Sequence, residues 1–356
     1  VPDAKKPANS KPANSKPANR KPADSKPANA RPAAKKAAAT PVVTPPRGRS
    51  GRPGGRPSGP ARVKKAGPAE WISGARLRTL PLAVAPVALG TATAYAFDND
   101  EGWHWVRALL CLVVALALQI AVNYANDYSD GVRGTDKNRV GPSRLTGSGA
   151  ATPRAVLTVA LAFFAIAAVA GIALVVTTGY YWLLAVGAVC IVAAWFYTGG
   201  KRPYGYNALG EVAVFVFFGL VATAGTMFVQ VGTVSFENWA AGTAIGLISV
   251  AVLVINNTRD IRQDRAAGKR TLSVIIGDRA SRILFTVLLL VPYGILVIFV
   301  LVYTNAVLVY GTLLVAIPAI IIALTAKTPR ELILVLQLTS LTGLLYGLAL
   351  SWAVAF

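Results

Sequence analysis

Little in this 356-residue chain suits soluble chemistry: it has two cysteines and one histidine, and charged residues make up 14% against 54% hydrophobic. A soluble domain usually carries about 25% charge. Cys111 and Cys190 both lie in apolar runs. They show no zinc spacing and no disulfide framework, and read as small buried hydrophobes. His104 is the one candidate for any histidine-based catalysis. Its place beside Trp103 and Trp105, at the start of an apolar run, suits an interfacial residue.

Charge of one sign is also scarce. Residues 1–65 hold 17 Lys or Arg against 2 Asp, which is +15 of the net +21 and leaves +6 for the rest. That segregation argues against a nucleic-acid-binding core and no nucleic-acid partner is expected. Residues 6–35 repeat a five-residue unit, KPANS and its variants, before a switch to Pro, Gly, Arg and Ser. Regular proline breaks helices, and nothing large and apolar is available to bury. The segment 1–65 is therefore predicted to be disordered, and it lacks the apolar run of a signal peptide. Two roles are open to it: contact with anionic lipid headgroups, or a charged solvated spacer.

What the chain has is apolar length. Nine segments stand out, near 77–97, 103–125, 153–175, 180–198, 208–230, 241–257, 281–302, 305–326 and 332–355. A spanning helix needs about 20 such residues. The expected fold is an all-α, polytopic membrane bundle of about nine transmembrane helices over residues 70–356. Connections after even-numbered segments hold the basic residues, and those after odd-numbered ones hold Asp98, Asp100, Glu101 and Glu237. By the positive-inside rule the basic side and the amino terminus face the cytoplasm. The lipid bilayer, as a cell inner (plasma) membrane, is the first partner.

Two of the basic connections also carry acids. In Asn123–Asp136, the residues Asn123, Asp127 and Asp130 fall at i, i+4 and i+7, one helix face, with Asn126 beside them. Asn256, Asp260 and Asp264 share a face in the same way. Carboxylates at a bilayer edge are costly unless paired or liganding. Hard oxygen donors in this number suit Mg²⁺, which binds through a few carboxylates while holding substrate phosphates. Arg133, Lys137, Arg139, Lys201, Arg202, Lys269 and Arg270 supply positive charge for a diphosphate. The competing reading is of solvated loops with internal ion pairs, since Arg259, Arg262 and Arg265 interleave the second cluster.

The parts suggest a reaction. Metal and basic groups stabilise a departing diphosphate, an apolar cavity holds an isoprenoid tail, and an electron-rich carbon takes the allylic cation. Tyr124, Tyr128, Trp195, Phe196, Tyr197, Tyr204 and Tyr206 are candidates to shield that cation, or belong to an interfacial belt. Gln119 and Asn123 lie one turn apart, and Glu211 opens segment five. The basic, glycine-rich stretch 199–211 reads as a loop able to close over phosphates, though it is no P-loop.

These motifs resemble the UbiA superfamily of membrane prenyltransferases. The likeness is carried by N-Y-A-N-D-Y-S-D at 123–130, A-R-L-R-T-L-P-L at 75–82, and R-V-G-P-S-R-L-T-G-S-G at 139–149. G-G-K-R-P-Y-G-Y at 199–206 and N-N-T-R-D at 256–260 belong to it too. They look most like the branch that uses 1,4-dihydroxy-2-naphthoate. The resemblance implies transfer of a long chain from polyprenyl diphosphate to that ring with loss of CO₂, giving demethylmenaquinol, with Mg²⁺ as cofactor. It implies Asn123, Asp127, Asp130, Asn256, Asp260 and Asp264 as the metal and diphosphate set. Lys201, Arg139 and Arg270 would touch the diphosphate, with Gln119, Asn126, Arg133, Asp136, Arg202, Tyr204 and Lys269 around the substrates. Other acceptors stay open, 4-hydroxybenzoate and a sugar phosphate among them. Haem is disfavoured by the single histidine. An ion-coupled transporter would place its acids near the bilayer midplane rather than at one interface.

Overall fold

Long apolar runs leave the backbone no partner but itself in a bilayer, and helices are the solution this chain adopts. The computed structural model describes residues 65–98, 104–135 and 144–356, among which no strand occurs. The expected disordered tail, up to residue 64, and Asp136, Lys137 and Arg139 lie outside the described residues.

The chain runs through α1 (Pro68–Gly74), a 3-10 turn at Leu77–Thr79, α2 (Pro81–Phe97), α3 (Trp105–Arg133), α4 (Pro153–Thr178) and α5 (Leu183–Phe196). It continues through α6 (Gly210–Val214), a π-helical segment at Phe215–Val221, α7 (Ala222–Val231), α8 (Phe236–Ala266) and α9 (Leu272–Val300). A 3-10 stretch at Thr304–Thr312, α10 (Leu313–Thr325) and α11 (Pro329–Ala355) complete it. Among the described residues, 7 helices are long and apolar enough to cross a membrane, with the joined Gly210–Val231 and Thr304–Thr325 each one span. Pro68–Thr79 and Pro81–Phe97, bent by 48°, make 8 if that pair is one span. The chain is thus an all-α polytopic bundle.

Two helices outrun the apolar segments read from sequence. α3 continues to Arg133, where Gly134 at φ 72° stops it, and α8 continues to Ala266. Both acidic clusters therefore ride on rigid helix rather than on loops. α9 starts at Leu272, is broken at Gly277 (φ 82°) and then runs on.

α8 is the central helix. Ile245, Ile248 and Ile255 are fully buried among Leu89 of α2, Phe285 and Leu289 of α9, and Leu350 of α11. Lipid offers no hydrophobic drive between helices, so close packing of small residues has to supply the attraction. Gly219 meets that need: a Cβ there would stand 2.6 Å from Gly246 Cα and 2.7 Å from the Gly242 carbonyl oxygen. At the far end from the acids, Arg107 Nη1 donates to the Val229 and Gln230 carbonyls at 3.0 and 3.1 Å. That satisfies acceptors which the end of α7 leaves open. Large apolar side chains such as Leu161, Val169, Val189 and Leu314 face outward, as a lipid-exposed surface requires.

Candidate active site at the mouth of an apolar cavity

The two acidic helix ends meet. Asp130, near the end of α3, is buried, and an unpaired carboxylate there would cost several kcal/mol. Its partners come from three separate segments. Lys269 Nζ is 3.2 Å from Oδ1, Arg144 Nη2 is 3.3 Å from Oδ2, and the Tyr206 hydroxyl donates to Oδ1. The same Lys269 ammonium lies 3.8 Å from Asp264 Oδ1. One cation thus joins the first cluster to the second, over the Tyr206 ring at 4.4 Å.

The second cluster is partly self-paired, as the competing sequence reading held. Arg259 Nε and Nη2 grip the Asp260 oxygens at 2.8 and 2.6 Å, and Nη2 also reaches Asn256 Oδ1 at 2.9 Å. Arg262 and Arg265 are exposed. Within the first cluster, Asn123 Nδ2 donates to the Ala75 carbonyl at 2.9 Å, and Asn126 Oδ1 accepts from Thr198. Both Asp127 oxygens accept backbone N–H groups, from Leu145 and Thr146 at 2.9 Å each. Gln119 Nε2 donates to Thr79 at 3.0 Å.

The 197–209 connection lies over this site differently from expectation. Lys201, Arg202 and Arg270 are exposed. Arg133 donates to the Thr198 and Gly200 carbonyls, fastening the loop, and Tyr206 is the residue that reaches Asp130. The Tyr206 backbone carbonyl accepts from Arg270 N–H at 2.8 Å, which ties the loop to the α8–α9 link. Burial first, and the Asp130 charge second, push the Tyr206 phenol well above its ordinary range, so it is a permanent donor.

Beneath lies a cavity of about 550 Å³. Its polar end holds Asn123, Asn126, Asn256, Tyr197 and Tyr204, and its walls are otherwise almost wholly apolar. Cys111 and Asn126 both line it, so it extends about 22 Å along α3 at roughly 1.5 Å per residue. Of the seven aromatic candidates, Tyr197 and Tyr204 line the cavity. Tyr124 instead donates to the Trp71 carbonyl at 2.5 Å in an apolar cluster with Trp195 packed on it. Cys111 and Cys190 line the cavity as well, and Cys190 is only half-buried, which corrects its reading as a core residue.

Sequence reasoning missed Phe217 and Phe218, which line the cavity from the π-helical segment. It also passed over Arg144 and Arg76. Arg76 sits in the left-handed region at φ 54°. The signal for both was the motif each sits in, A-R-L-R-T-L and S-R-L-T-G.

A membrane bundle that gathers acids and cations over a narrow apolar cavity is built for a substrate with a phosphate head and an apolar tail. The chain belongs to the UbiA prenyltransferase family, which it matches over residues 83–332. It is 50% identical over 295 residues, 81% of this chain and 97% of the relative, to the 1,4-dihydroxy-2-naphthoate octaprenyltransferase of Mycobacterium tuberculosis. The fold is that of a UbiA homolog from Aeropyrum pernix, at TM-score 0.58 and 17% identity over 74% of this chain and 96% of that one. A UbiA homolog from Archaeoglobus fulgidus, solved bound to GPP and Mg²⁺, matches at TM-score 0.52 and 15% identity over 78% of this chain and 99% of that one.

Proposed function

We propose that this protein transfers a long polyprenyl group from polyprenyl diphosphate to 1,4-dihydroxy-2-naphthoate, with loss of CO₂, to give demethylmenaquinol. The observation that supports this reading best is the Asp130–Lys269–Asp264 junction near the polar end of the apolar cavity, an arrangement suited to a diphosphate head and an isoprenoid tail. The identity to the mycobacterial octaprenyltransferase supports the choice of acceptor.

The donor set fits Mg²⁺. Among the described residues no group of three His, Cys, Asp or Glu forms a ready cage. Mg²⁺ needs none: it takes one or two carboxylates and completes its shell with waters and substrate phosphates. Positive charge is already drawn between Asp130 and Asp264, where Lys269 stands. Asp130, Asp260 and Asp264, with the Asn126 and Asn256 amides nearby, would hold the ions. Bound there, Mg²⁺ supplies Lewis-acid stabilisation of the leaving diphosphate.

The chain's own groups do the rest. Lys269 and Arg144 neutralise charge on the diphosphate as the allylic C–O bond breaks and its electron pair leaves with oxygen. Tyr197, Tyr204, Phe217 and Phe218 offer ring faces to the allylic cation and keep water out. The ring carbon bearing the carboxylate forms the new C–C bond. Loss of CO₂ then returns the electron pair to the ring, so no oxidant is needed. Tyr206 keeps its proton and orients Asp130.

Nine spans are the natural count, the ninth being α5, whose apolar helix is shorter than the rest. Residues 70–356 are the transferase domain in a cell inner membrane, with the site and amino terminus cytoplasmic, and 1–65 is a basic tail for which headgroup contact and a charged spacer both stay open. Purified protein in detergent, given polyprenyl diphosphate with either 1,4-dihydroxy-2-naphthoate or 4-hydroxybenzoate, tests the reading. Prenylated naphthoquinol and no prenylated benzoate is expected; the reverse preference refutes the acceptor.

A further inference from the structure

Asp127 and Asp130 belong to one sequence pattern but have different surroundings. Asp130 faces three cationic or phenolic side chains, whereas both Asp127 oxygens are taken by consecutive backbone amides, Leu145 N–H to Oδ2 and Thr146 N–H to Oδ1. Consecutive amides aimed at one anion make a nest, and such charge-assisted bonds are the strong kind. Asp127 is 2% exposed, so an ion that displaced the amides would leave buried N–H groups unsatisfied.

The same turn, 144–149, is gripped from other sides. Leu145 is buried with Ala75, Tyr124 and Val156. Gly131 makes room for Thr146: a Cβ on Gly131 would stand 2.3 Å from Thr146 Cγ2 and 2.4 Å from its Cβ. At the head of the turn, Arg144 extends to Asp130 Oδ2 at 3.3 Å. The turn is what places this guanidinium.

We propose that Asp127 and Gly131 form a dock for the 144–149 turn, and that Asp127 is a positioning residue which holds Arg144 at the diphosphate site rather than a metal ligand. This rests on the reading of Asp130 as the metal-binding carboxylate of α3.

The test compares Asp127→Asn, Gly131→Ala and Asp130→Asn in full-length protein in lipid nanodiscs. Three quantities are read: hydrogen exchange of the residue 145 and 146 amides, donor KM, and the Mg²⁺ concentration giving half-maximal rate. Gly131→Ala removes no charge and adds a good helix former, so it stands even where Asp127→Asn fails to fold. In both dock variants the turn amides are expected to exchange at least about tenfold faster. Donor KM is expected to rise about tenfold, with the Mg²⁺ requirement unchanged. Asp130→Asn is expected to do the opposite, raising the Mg²⁺ requirement with the turn still protected. The proposal is overturned if Asp127→Asn raises the Mg²⁺ requirement as Asp130→Asn does while its turn amides stay protected. It is overturned equally if Gly131→Ala frees the turn and leaves donor KM unchanged. The exchange arm needs no turnover, and inorganic pyrophosphate binding with Mg²⁺ replaces KM if the naphthoate reaction fails. A failed dock and a failed function are therefore told apart.

Discussion

Lys269 Nζ lies 3.2 Å from Asp130 Oδ1, across 139 residues of sequence. The contact joins two elements at the site end, because Lys269 follows α8 and Asp130 lies in the last turn of α3.

Asp130→Asn removes the anion that three donors share. Loss of one preorganised electrostatic group typically costs about 10²–10³ in rate, and a kcat loss of that size is expected with the fold intact by thermal melting. Lys269→Met is expected to fall similarly. Lys269→Arg is expected to recover little, since a planar guanidinium does not replace a compact ammonium set 4.4 Å over the Tyr206 ring.

Tyr204 and Tyr206 carry a pH signature. Burial pushes Tyr204 from 10.0 up to about 12, and Tyr206 is raised too, by burial and then by the Asp130 charge. A folded pKa above the unfolded one stabilises the protonated form. That stability is fully present below pH 10.0 and is lost as pH rises through the folded values. Thermal unfolding against pH is expected to show a fall beginning above pH 10 that weakens in Tyr206→Phe. The rate defect of Tyr206→Phe, about tenfold for a lost bond to a charged group, is expected to be flat across pH 6–9.

The all-α membrane bundle and the two acidic clusters were legible in the sequence because period and polarity mark them. Asp127, Asp130, Asp260 and Asp264 stand out by spacing alone. Lys269 is legible by its charge, but the pairing of these groups is not, for physical reasons. Asp127 is satisfied by backbone amides, which every residue has. Arg144 and Lys269 reach Asp130 only after two loops have folded back. The 199–211 loop was read by its cations, yet Lys201 and Arg202 are exposed and the loop's contact to the site is a tyrosine. Phe217 and Phe218 are two apolar residues among many until a π-helical turn and a cavity give them a role.

Gly171, Gly187 and Gly225 line the cavity, and a Cβ at any of them would meet nothing within 4 Å. Gly225→Leu is expected to leave folding alone and narrow the tunnel. The kcat/KM for a long polyprenyl diphosphate is expected to fall about tenfold, the scale of a few methylenes misfitted in a pocket. A ten-carbon donor is expected to be spared.

Gly219 is the opposite case. Gly219→Val forces apart the crossing with Gly246, and overpacking of this kind costs about 1–3 kcal/mol. Thermal unfolding in detergent is expected to show a lower Tm, while the donor chain-length preference of whatever protein remains folded is unchanged.

The most direct measurement of the central claim is product stoichiometry with and without Mg²⁺. Purified protein in nanodiscs would receive polyprenyl diphosphate and carboxyl-labelled 1,4-dihydroxy-2-naphthoate, and prenylated quinol, diphosphate and labelled CO₂ would be counted. Equal amounts of all three, abolished by EDTA and restored by Mg²⁺, are the predicted result. Diphosphate release without a new carbon–carbon bond, or turnover indifferent to EDTA, would contradict the account.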